Sequence, residues 1–127
     1  MTDPDERIEG FAPEQLRHFY RSVLLPRMIE EKMLVLLRQG RLSKWFSGIG
    51  QEAIATGVVT ALEPDDYVLP MHRNLGVFTG RDLDLPQLFR QLLGREGGFT
   101  KGRDRTFHFG TLEKGIVLWH ELAHLDW

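Results

Sequence analysis

Apolar residues recur at three- and four-residue spacing along the first third of the chain. Leu16, Phe19, Tyr20, Val23 and Leu24 mark one helical face, with Pro13 and Glu14 suited to its first turn. Pro26 interrupts the pattern and should kink the helix or split it near Leu25. A second run, Met28, Ile29, Met33, Leu34, Leu36 and Leu37, ends at Gly40, a suitable C-cap. This run is apolar on more than one side, so it predicts packing against something large. Residues 41–50, RLSKWFSGIG, read as a loop in which Trp45 and Phe46 pack on a neighbour. Gln51 to Leu62 is a short helix with a narrow stripe of Ala53, Ile54, Gly57, Val58 and Ala61. Ordinary core packing and a subunit interface both fit that stripe. Glu63-Pro64-Asp65-Asp66 is a turn by composition, and Tyr67-Val68-Leu69 is a short buried strand closed by Pro70. Met71 to Asn74 continues as a loop, and Leu75 to Thr79 is a helical turn ending at Gly80. Asp84 caps a last helix that has Pro86 in its first turn and runs through Leu88, Phe89, Leu92 and Leu93 to Gly94.

Composition narrows the function classes. The 127 residues suit one domain, and 42% of them are hydrophobic, enough for a core. There is no cysteine, which removes disulfides, thiolate metal sites and a cysteine nucleophile. The formal charge of -2 gives no reason to expect nucleic acid. The acidic start, Met1 to Glu6, is unlike a signal peptide, and no stretch approaches the roughly 20 apolar residues of a membrane span. A soluble, cytoplasmic protein is the expectation, with residues 1–12 a flexible leader.

Three stretches hold candidate chemistry. Gly94 to Gly110, GREGGFTKGRDRTFHFG, combines five glycines with five basic residues, Arg95, Lys101, Arg103, Arg105 and His108. That composition suits an anion, although a solvated basic loop is the simpler reading. His72 and Arg73 follow a short strand, and ligands of open α/β sheets collect at such ends. An arginine there can grip a phosphate through two parallel hydrogen bonds. Finally, His120-Glu121-Leu122-Ala123-His124 spells H-E-x-x-H, which on a helix could place two histidines on one zinc ion beside a general base. A catalytic zinc needs a third protein ligand. Asp126 points to another face, leaving an upstream residue such as His108 as the candidate.

The central stretch resembles the alpha part of thiamine-diphosphate-dependent 2-oxo acid dehydrogenases, the first component of the pyruvate and branched-chain complexes. The motifs that carry the resemblance are Gly50-Gln51-Glu52-Ala53, Pro64-Asp65-Asp66-Tyr67, His72-Arg73, Lys101-Gly102-Arg103 and His108, preceded by the helix IEEKMLVLLRQG at 29–40. The likeness runs from about residue 14 to 117. It implies an α/β fold, the N-terminal part of a thiamine diphosphate-binding fold, mostly helical here with one or two short strands. It implies thiamine diphosphate as cofactor, with Arg73 holding its diphosphate and His72 standing where many members have a tyrosine. His108 resembles a histidine on the substrate side of the site. Gln51 and Glu52 fall to subunit contact or scaffolding. The implied partners are a beta subunit or fused beta half, the lipoyl domain of the acyltransferase component and a 2-oxo acid, in an oligomeric enzyme. The forms around Trp45 and Met71-His72-Arg73-Asn74 lean to the branched-chain branch.

The chain also departs from that family. The magnesium-binding Gly-Asp-Gly motif does not occur, so no metal ligand is assigned. After Gly115-Ile116-Val117 the text becomes LWHELAHLDW instead of a buried run of small residues. The expectation is that 13–117 form the N-terminal part of the dehydrogenase domain and 118–127 an aberrant tail, so that the H-E-x-x-H motif is accidental. An isolated fragment of this kind is expected to be inactive and to expose the apolar side of its first helix. A small zinc-dependent hydrolase and a non-catalytic helical interaction module are the alternatives.

Overall fold

A computed structural model describes residues 8–104 and 107–118. Four helices organise it: α1 Pro13–Arg38, α2 Glu52–Ala61, α3 Leu75–Gly80 and α4 Leu85–Leu92, followed by a single 3-10 turn at Leu112–Lys114. The first three pack on one another.

α1 runs unbroken through Pro26, where a kink or split was expected. Pro26 lacks the N–H that would bond the carbonyl of Ser22, yet it is buried, so packing offsets the lost bond. The two halves of α1 differ. Its buried residues, Pro26, Ile29, Glu30, Met33 and Leu36, all belong to the C-terminal half, while Tyr20 on the N-terminal half is 67% exposed. At its start the Ala12 N–H donates to Gln15 Oε1 at 2.8 Å, and at its end Gly40 takes the left-handed conformation.

α2 turns an unexpected face inward. Glu52, Ala55, Thr56 and Val59 are buried, whereas Ala53, Ile54, Gly57, Val58 and Ala61 face outward. The core reading of that stripe is therefore corrected. The helix is apolar on nearly every side, so periodicity could not choose. The choice is made by α3, whose Gly76 and Gly80 let it approach closely. A Cβ on Gly76 would lie 3.0 Å from Ala55 Cβ, and one on Gly80 would lie 2.9 Å from Val59 Cγ1. Ala53, Gly57 and Ala61 of that stripe line a groove of about 510 Å³ shared with Phe19 and Val23 of α1.

The expected buried strand at 67–69 is reduced to one parallel bridge between Val68 and Ile116. Val68 N–H donates to Gly115 O at 2.8 Å, and Val117 N–H donates to Val68 O at 3.0 Å. Tyr67 and Leu69 are exposed, because no second bridge forms on either side of Val68. Thr111 and Ile116 add an antiparallel bridge. Beside them Arg81 donates to the carbonyls of Glu63, Pro64 and Asp66, which ties the end of α3 to the turn after α2. α4 starts as expected, with Asp84 Oδ2 accepting from the Gln87 N–H at 2.9 Å. No described helix is long and apolar enough to cross a membrane.

The core is strongly aromatic. Phe78, at the centre, has its ring 5.0 Å from those of both Phe107 and Phe109. Phe107 reaches Trp45 at 5.4 Å, and Phe109 stacks on Phe99 at 4.6 Å. One chain of rings thus joins the loop after α1 to the segment carrying His108.

Candidate functional site

Glu30 organises the loop at 45–48. It lies on the buried stripe of α1, 1% exposed, so its carboxylate needs partners within the fold. Oε2 accepts from Trp45 Nε1 at 2.7 Å and from Ser47 Oγ at 3.1 Å, and Oε1 accepts from the Gly48 N–H at 2.8 Å. Gly48 is then wedged against the next loop. A Cβ there would lie 2.1 Å from the Arg73 carbonyl oxygen and 3.3 Å from Glu30 Oε1.

Arg73 and His72 sit in that next loop, where Met71 N–H donates to Asn74 Oδ1 at 2.8 Å. Arg73 Nη1 donates to the Ser47 carbonyl at 2.9 Å. The Phe46 ring gathers the cationic side chains: Arg73 Cζ is 5.9 Å and Lys44 Nζ 4.7 Å from its centroid. His72 meets the same ring edge-on at 4.7 Å. The Arg73 residue is exposed, and among the described residues no carboxylate forms an ion pair with it or with Lys44. A guanidinium carries five N–H donors, so Arg73 keeps most of its hydrogen-bonding capacity for an anion.

His108 lies elsewhere. Phe107 and Phe109 point into the core, and the alternation turns His108 out to solvent. It lines a cavity of about 360 Å³ with Phe99, Thr100, Asp104 and Phe109, which neither His72 nor Arg73 reaches. Its Nδ1 is 3.7 Å from Asp104 Oδ1, and both side chains are half exposed. The floor of this loop is Gln91, fully buried on α4. Its Oε1 accepts from Thr100 N at 2.9 Å and Thr100 Oγ1 at 3.1 Å, and its Nε2 donates to Asp104 O at 3.3 Å. Gly98 packs so closely that a Cβ would lie 2.7 Å from Gln91 Cα.

Glu52 is an anchor rather than a ligand. Its Oε1 accepts from Arg27 Nε at 2.6 Å and its Oε2 from the Gly50 N–H at 2.9 Å, fastening the start of α2 to α1. The Arg27 hydrogen bond holds the Glu52 carboxyl below the usual range, against the opposing effect of burial. Gln51, at the N-cap, is exposed. Sequence reasoning missed Glu30 and Gln91. The signal was present: each is a polar residue within a helical stripe of buried neighbours, Pro26, Met33 and Leu36 for one and Leu88 and Leu92 for the other.

The thiamine diphosphate fit is partial. An exposed, carboxylate-free Arg73 beside Lys44 suits the diphosphate end. No described group of His, Asp or Glu side chains could hold a metal ion, so magnesium has no ligand set among the described residues. His120, Glu121 and His124 lie outside the described residues.

Comparison with known proteins gives the family. The chain belongs to the dehydrogenase E1 component family, whose model matches residues 20–125. It is 39% identical over 117 residues to 2-oxoisovalerate dehydrogenase subunit alpha 1, mitochondrial, of Arabidopsis thaliana, covering 87% of this chain and 25% of that protein. It is 34% identical over 103 residues to the 2-oxoisovalerate dehydrogenase subunit alpha of Pseudomonas aeruginosa, covering 81% of this chain and 25% of that one. Against the pyruvate dehydrogenase E1 component subunit alpha-1, mitochondrial, of Arabidopsis thaliana the identity is 31% over 125 residues, 97% of this chain and 32% of the relative. The chain therefore spans a quarter to a third of the length of these curated relatives.

Proposed function

We propose that this chain provides the diphosphate-binding edge of the alpha part of a thiamine-diphosphate-dependent 2-oxo acid dehydrogenase. The observation that carries the reading is the Arg73 guanidinium, fixed through Ser47, set near the Phe46 ring with Lys44, and facing solvent with no described carboxylate partner. The parallel bridge at Val68, just before this loop, supports an α/β thiamine diphosphate-binding fold, in which ligands gather beyond strand ends.

When bound, thiamine diphosphate supplies the nucleophilic carbon and electron sink for decarboxylating a 2-oxo acid, whose acyl group then passes to a lipoyl group. The chain's own residues bind and orient. Arg73 neutralises the diphosphate and fixes its position. His72, edge-on to Phe46, would stand beside the cofactor, and His108, on its own loop, would serve the substrate side. Since Gly-Asp-Gly is absent, turnover needs residues that these 127 do not include, with a beta subunit as partner and a lipoyl domain as acceptor. Relatives named for 2-oxoisovalerate and for pyruvate both match, so the substrate is a branched-chain 2-oxo acid or pyruvate.

Titration of the chain with inorganic diphosphate, followed by NMR of ¹⁵N-labelled arginine side chains, tests this. The Arg73 resonance should move in the millimolar range, and Arg73→Ala should weaken binding about tenfold or more, the worth of one charge-assisted contact. Equal affinity for Arg73→Ala and the parent chain would sink the reading.

A further inference from the structure

We propose that Glu30 is a positioning residue for Arg73, acting through the 45–48 loop to aim the guanidinium at the phosphorylated ligand. The inference rests on the diphosphate reading and adds a residue that touches no ligand.

A buried carboxylate is an expensive way to hold a loop, because an ionisable group leaves water and must recover every hydrogen bond inside. Glu30 recovers its bonds from donors of a single loop: an indole N–H, a hydroxyl and a backbone N–H drawn from positions 45, 47 and 48. Three such bonds to one rigid, planar group set the height and the tilt of the loop together. The next contacts run directly to Arg73. The carbonyl of Ser47, within the clamped segment, accepts from Arg73 Nη1, and the bare α-carbon of Gly48 abuts the Arg73 carbonyl. Side chain and backbone of Arg73 are thus both registered against the segment that Glu30 fixes. The neighbouring Phe46, whose ring holds Lys44 and His72, is carried by the same segment. Moving the loop moves the whole cationic cluster.

The substitution that reads this is Glu30→Gln. It keeps the volume and an acceptor for Gly48, but places an NH2 group against the Trp45 indole N–H, a donor facing a donor. The expected results are three. The Arg73 Nε–Hε resonance of the ligand-free chain shifts. Inorganic diphosphate binds about tenfold more weakly, equivalent to one charge-assisted contact. Adding Trp45→Phe, which deletes the opposing donor, recovers part of both. In the Arg73→Ala background Glu30→Gln should change diphosphate affinity no further, since it acts through that arginine. If Glu30→Gln does not fold, Ser47→Ala removes one of the three donors and should shift the Arg73 resonance less, in the same direction. A purely structural Glu30 would lower the melting temperature while leaving the Arg73 resonance and the diphosphate affinity in place, or would weaken Arg73→Ala further; either result overturns the proposal. Failure of the diphosphate reading looks different. The parent chain would then show no Arg73 response to diphosphate, while the ligand-free resonance would still report whether Glu30 positions that side chain.

Discussion

The two loops that carry the candidate chemistry are each built over a buried polar side chain, and they are built differently. Beneath Arg73 the anchor is a carboxylate, Glu30, which accepts from an indole, a hydroxyl and an amide at 2.7–3.1 Å. Beneath His108 it is a neutral amide, Gln91, with contacts of 2.9–3.3 Å. Hydrogen bonds to a charged group are roughly twice as strong as neutral ones. The Arg73 loop should therefore be the stiffer of the two, as the proposed role of Arg73 requires. The His108 loop, tied by the neutral amide of Gln91, should yield more readily.

The comparison can be broken most completely at Phe78, whose ring meets Phe107 and Phe109 beside His108, with Phe107 in turn against Trp45. Phe78→Ala should cost about 3–5 kcal/mol, measured by urea denaturation, and raise amide exchange at Trp45 and Phe109 together. Protection lost on one side alone would show that the rings do not couple the loops. Gly48→Ala acts on the Arg73 side only. Its Cβ would meet a backbone oxygen at 2.1 Å, so the two loops must part, at about 3 kcal/mol. Exchange at Thr100 should stay at the parent rate. Gln91→Leu makes the converse change, leaving the Thr100 N–H without its acceptor for about 2 kcal/mol and speeding exchange at Thr100 but not at Gly48.

A smaller effect separates the pH response from both loops. Glu52 has a folded pKa below its unfolded value, chiefly through Arg27. Its contribution to stability is complete above the unfolded value, about pH 4.3, and is lost as pH falls through the folded one. Glu52→Gln should flatten the acid limb of a melting-temperature profile, and an unchanged limb would remove Glu52 as its source. Least of all, His108→Asn should alter stability by under about 0.5 kcal/mol, because both side chains of its pair with Asp104 are half exposed.

Much of this architecture was legible in the pattern of residues. Pro13, Gly40, Asp84 with Pro86, and Gly94 mark helix ends found within a residue or two of expectation. Trp45 and Phe46 do pack, as their bulk in a loop required. The inward face of α2 was not legible, since seven apolar or glycine positions in ten offer no single stripe and Gly76 and Gly80 of another helix decide the matter. Continuity through Pro26 was hidden too, because it depends on burial that a linear pattern does not contain. At the site, His72 and Arg73 stand together in one loop, His108 lines a separate cavity, and the anchors beneath them needed the fold to be seen.

The bridge between Val68 and Ile116 also sets an order of assembly. It joins positions about fifty residues apart, and closing so long a loop is entropically dear, so it should form late. The contacts that Arg73 makes with Phe46, Ser47 and Gly48 lie within the first 80 residues, which emerge from the ribosome first. A nascent chain can therefore bring Arg73 against Ser47 before Phe107 arrives to pack on Trp45. Defects after residue 80 that remove the Phe107 ring should still loosen both loops, because that ring packs on Trp45 as well as on Phe78.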